Sequence, residues 1–62
     1  MAINIITDAH DRVVVALAFA RVKRAAAAAW PVQSKGLLAL WDGIIARHEA
    51  HLADLNNMLE AA

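Results

Sequence analysis

The sequence predicts an all-α chain: two antiparallel helices joined at Trp30-Pro31 as a hairpin, dimerising into a four-helix bundle. Three observations predict it. Leu38, Trp41, Ile45, His48, Leu52, Leu55 and Leu59 alternate at spacings of three and four, the a/d seam of a packed helix. The only proline, Pro31, falls near the middle of the chain, and both halves consist of good helix formers. Finally, 62 residues make one small domain with a marginal core, and there is no cysteine to staple it. Oligomerisation is the remaining device, and 61% hydrophobic residues, against the usual ~45–50%, supply surface for it.

The expected domain is residues 1–62, with helix one over about 8–29, the turn over 30–33 and helix two over about 34–60. Thr7 reads as the first N-cap, and Asp8 and Asp11 suit the positive end of the helix dipole. Ile3-Asn4-Ile5 alternates and suggests a short extended lead-in. Val13-Val14-Val15 favours a strand locally, but no turn follows it and the chain runs on into the alanine tract 25–29. Helix is therefore the reading. Pro31 pushes Trp30 towards extended backbone and ends the helix. Ser34 is the expected cap of helix two, within which Gly36 and Gly43 each cost about 1 kcal/mol relative to Ala.

Helix one carries two apolar stripes. Val15, Phe19, Val22, Ala26 and Trp30 form one, and Val13, Leu17, Ala20 and Ala27 form the other on the opposite side. A single partner helix covers only one of them, so a second copy is expected to cover the rest. The expected core and dimer seam thus joins Val15, Phe19 and Val22 to Leu38, Trp41, Ile45, His48, Leu52, Leu55 and Leu59. On helix two, Leu37, Ile44, His51 and Met58 form a column on one side of the seam, and Asp42, Glu49 and Asn56 a column on the other.

Six basic and six acidic side chains cancel, whereas dedicated nucleic-acid binders are usually basic. Arg21, Lys23 and Arg24 do cluster. No aromatic residue interleaves with them, so base stacking is unsupported, and they read as a solvated helix end complementing the dipole. The longest apolar run, Val13 to Ala20, is too short for a membrane span, which needs about 20 residues. No signal peptide is read at the N-terminus, and a cytoplasmic protein is expected.

His48 and His51 share a helix face with Asp54, but their i,i+3 spacing departs from the i,i+4 pair of zinc-binding helices. They are read as packing residues, with no metal and no cofactor. Thr7 and Ser34 are the only hydroxyls and both read as caps, so no nucleophile with an adjacent base is found. The expectation is no enzyme.

In size and topology the expected hairpin resembles the Rop family of plasmid-encoded RNA-binding regulators, helical-hairpin dimers of similar length. No functional motif aligns, so no residue's role is carried over. Small phage- or plasmid-borne inhibitors of host regulators are also of this kind. The functional expectation is a protein-binding regulator, inhibitor or anti-activator, that acts as a homodimer and occludes a partner's surface. Trp30 and Leu40, large apolar residues outside the seam, are its candidate contacts. The alternatives are a Rop-like RNA or DNA binder and a purely structural module.

Overall fold

A computed structural model describes the backbone of residues 2–61 and the side chains of residues 4–61. The described residues form two helices, α1 (Ala2–Ala28) and α2 (Lys35–Ala61), and no strand. Each has 27 residues and is about 40 Å long at about 1.5 Å per residue. They lie antiparallel, as cross-pairs of Arg24 with Asp42 and Arg21 with Glu49 require. The Cα envelope is 48 × 14 × 12 Å, one layer of two helices.

The start of α1 corrects the expected boundary. Helical backbone begins at Ala2, so Ile3-Asn4-Ile5 is helix rather than an extended lead-in, and Thr7 sits inside the helix instead of capping it. Nothing in residues 2–6 breaks a helix, and the β-branched residues there disfavour one only slightly. In consequence Asp8 and Asp11 lie beyond the first turn, which contains no acidic residue.

The end of α1 follows from its chemistry. The Ala29 N–H is shared between the carbonyls of Ala25 and Ala26 at 3.1 and 3.2 Å, a tightening of the last turn. Gln33 then folds back, its Nε2 donating to the Ala28 carbonyl at 2.6 Å. That bond satisfies one of the acceptors that a helix end orphans. Pro31 lies in the turn, where its missing N–H costs no helical bond. Ser34 caps α2 as expected: its Oγ accepts the Leu37 N–H at 3.2 Å, and its carbonyl accepts the Leu38 N–H at 3.0 Å.

The helices meet through one of the two α1 stripes. Val13, Leu17, Ala20 and Ala27 are buried, together with Leu55 of α2. Leu38, Trp41, Ile45, His48, Leu52 and Leu59 are half-buried around them. Val15, Phe19 and Val22, expected in the seam, lie on the stripe that the hairpin leaves in solvent. Size explains the choice, because Ala20 and Ala27 allow close helix approach where Phe19 and Val22 would hold the axes apart. Among the described residues, no large side chain is fully enclosed.

Gly43 stands exposed within α2, and a Cβ built there meets nothing within 4 Å. Gly43→Ala should therefore raise stability by about 1 kcal/mol, the helix-propensity difference. Thermal melts followed by circular dichroism measure it. A lowered melting temperature would reveal a neighbour packed against Gly43.

Candidate functional site

The two flanks of the helix pair differ in kind. On one, Arg24 Nε donates to Asp42 Oδ1 at 2.9 Å, and Arg21 Nη2 donates to Glu49 Oε2 at 3.5 Å. Asp42 and Glu49 are one heptad apart on α2, while Arg21 and Arg24 are three apart on α1. Each helix thus aligns its pair of like charges along one edge. Arg21, Asp42 and Glu49 are exposed and Arg24 is partly so, and each pair contributes about 0–1 kcal/mol. Their larger effect is on register, since a shift of one helical turn would separate both pairs.

These contacts correct the expected account of the basic cluster. The last turn of α1 holds no basic residue, so complementing the helix dipole is not what places the cluster there. Arg21 and Arg24 are held by carboxylates, and Lys23 Nζ lies 5.3 Å from the centroid of the Phe19 ring, a cation–π contact one helical turn away. The three cations thus have three different partners, two carboxylates and a ring.

The other flank is apolar and open. A groove of about 590 Å³ runs between the helices there. Its floor is small, made by Ala16 and Ala20, and its walls are Val15 and Phe19 from α1 and Trp41 and Ile44 from α2. Phe19 and Trp41 meet across it edge to face, ring centroids 6.4 Å apart and planes at 71°, a favourable aromatic geometry. Polar groups occur only at its margins, namely Asp11, Arg12 and half-buried His48. Beyond the groove the α1 stripe continues outward, with Val15 69% and Val22 67% exposed.

The turn end is the second apolar feature. Trp30 and Leu40 are both exposed, and between them in sequence Val32 is 84% exposed. Val32 was not singled out from the sequence, although its place beside Pro31 in a short turn left it nothing to pack against. Sequence reasoning also missed the groove itself. Ile44 was read as the edge of a seam and Ala16 drew no notice, because a groove is a property of two helix flanks at once.

His48 and His51 separate in character: His48 is half-buried at the groove margin, and His51 is exposed. Among the described residues, no three of His, Cys, Asp or Glu gather as a metal-binding group. Ser34 Oγ is engaged in capping α2. No helix among the described residues is long and apolar enough to cross a membrane.

Comparison with protein-family models, with curated proteins and with solved structures finds no match.

Truncating the groove wall tests the packing of Trp41 against Phe19. Trp41→Ala removes the contact with Phe19 and is expected to cost about 2 kcal/mol or more, read as a lowered midpoint in urea or thermal unfolding. An unchanged midpoint would mean that Trp41 contributes nothing to the fold. Asp42→Asn, which opens only an exposed ion pair, should cost less than about 1 kcal/mol.

Proposed function

We propose that the chain is a non-enzymatic protein-binding regulator that works as a homodimeric helical hairpin and occludes a surface of another protein. One observation carries this reading. Among the described residues, nine large apolar side chains are exposed, against five buried apolar residues of which two are alanine. Scattered exposed apolar residues are ordinary on soluble proteins. Here five of the nine lie on α1 (Ile5, Val14, Val15, Phe19 and Val22), Trp30, Val32 and Leu40 lie in or near the turn, and Met58 lies near the end of α2. So many on so small a chain is the pattern of surfaces made to be covered. The stripe suits association between copies. Trp30 and Leu40, with Val32, suit insertion of a compact apolar tip into a partner's groove.

The engaged arginines favour this reading over nucleic-acid binding, since releasing them for phosphate would break both cross-helix pairs. Affinity capture with the tagged protein, followed by calorimetric titration of the purified partner, provides the test. Trp30→Gln combined with Leu40→Gln should abolish binding while circular dichroism and sedimentation stay unchanged. Arg21→Ala combined with Arg24→Ala should leave partner binding intact. If the arginine variant loses binding while folded, and salt steeply weakens the wild-type complex, the nucleic-acid reading replaces this one.

A further inference from the structure

The dimeric reading leaves open where the copies meet. We infer that the occupant of the apolar flank is a second copy of this chain, docked by the same flank around a two-fold axis, so that Val15, Phe19 and Val22 of each copy become buried. The inference rests on the dimeric reading above and adds the surface to it.

Area argues for a second copy. A compact folded monomer of this mass exposes about 3,900 Å², whereas this hairpin exposes 4542 Å². The excess of roughly 600 Å² approaches the ~800 Å² that one partner contributes to a standard interface. Val15, Phe19 and Val22 span roughly 10 Å of α1 at 1.5 Å per residue, and exposed Asp8, Asp11 and Arg12 separate them from Ile5. A small molecule in the groove would leave Val22 wet. A second helix pair would cover it.

Stability argues for the same occupant. Among the described residues few side chains are buried and none of the large ones fully, so the hairpin on its own has a marginal core that a cover would stabilise. A foreign partner would leave it marginal until they met, whereas a second copy is always present at equal concentration. The other flank is closed by Arg21–Glu49 and Arg24–Asp42. Docking there would require desolvating four charges. The apolar flank asks only that Asp11, Arg12, Lys23 and His48 remain at the rim, and a two-fold interface of this kind needs only self-complementary apolar shape.

Sedimentation equilibrium at micromolar concentration is the first measurement, with twice the 6.7 kDa chain mass expected. A well-folded monomer would overturn both this inference and the dimeric reading. Val15→Glu buries a charge in the proposed interface and should weaken association by roughly 100-fold or more, whereas Val32→Glu in the turn should leave it unchanged. A folded Val15→Glu dimer of unaltered affinity would overturn the docking surface and leave the dimer standing. Should Val15→Glu unfold, cross-linking decides in a chain with no other cysteine. Val22→Cys should join copies rapidly on oxidation, and Ala46→Cys, exposed on α2 away from the groove, should not. The reverse order would place the copies back to back and overturn the inference.

Discussion

Two helices touch along one line. That constraint governs this molecule, because each cylinder can hide only the side chains that face its neighbour, and neither can enclose a large residue without a third element. The buried set of Val13, Leu17, Ala20, Ala27 and Leu55 is what one line of contact allows. Every other described apolar residue is left at a margin or in solvent. The groove, the exposed stripe and the half-buried state of the α2 seam are three consequences of the same geometry.

The two halves of the chain were not equally legible. On α2 a single apolar stripe faced a polar column, so its inward side followed from periodicity, and Ser34 announced its start through a bond that only a short hydroxyl side chain makes well. On α1 two stripes had comparable hydrophobicity, and periodicity could not choose between them. The choice follows from how closely the second helix can approach, which Ala20 and Ala27 permit, and Asp42 and Glu49 then pair with Arg21 and Arg24 along one edge. The N-terminal boundary was misplaced for the opposite reason. Thr7 and Asp8 look like a start, but a cap acts only where the preceding residues leave the helix, and Ile3-Asn4-Ile5 does not.

Candidate sites were less legible than the fold. Sequence reasoning looks for chemistry in short spacings: His48 and His51 depart by one residue from the zinc-helix spacing, and Ser34 is used in a cap. The groove is built from residues 15–20 of one helix and 41–48 of the other, and neither segment reads as unusual alone. Leu40 is legible as a candidate because it falls outside the α2 seam and its flank, and Trp30 because it stands beside the turn; both are exposed. The basic cluster was misjudged because its partners are 18 and 28 residues away.

The contrast between the two flanks separates two kinds of interaction. The ionic flank favours one register of α1 against α2, and its pairs weaken as salt screens exposed charges. The apolar flank carries no such pairs, and burial of its residues is left intact by simple salts and strengthened by kosmotropic ones. If the proposed association uses that flank, register and association respond to ionic strength in opposite senses, so that a second copy would hold the helices in alignment where the exposed ion pairs weaken.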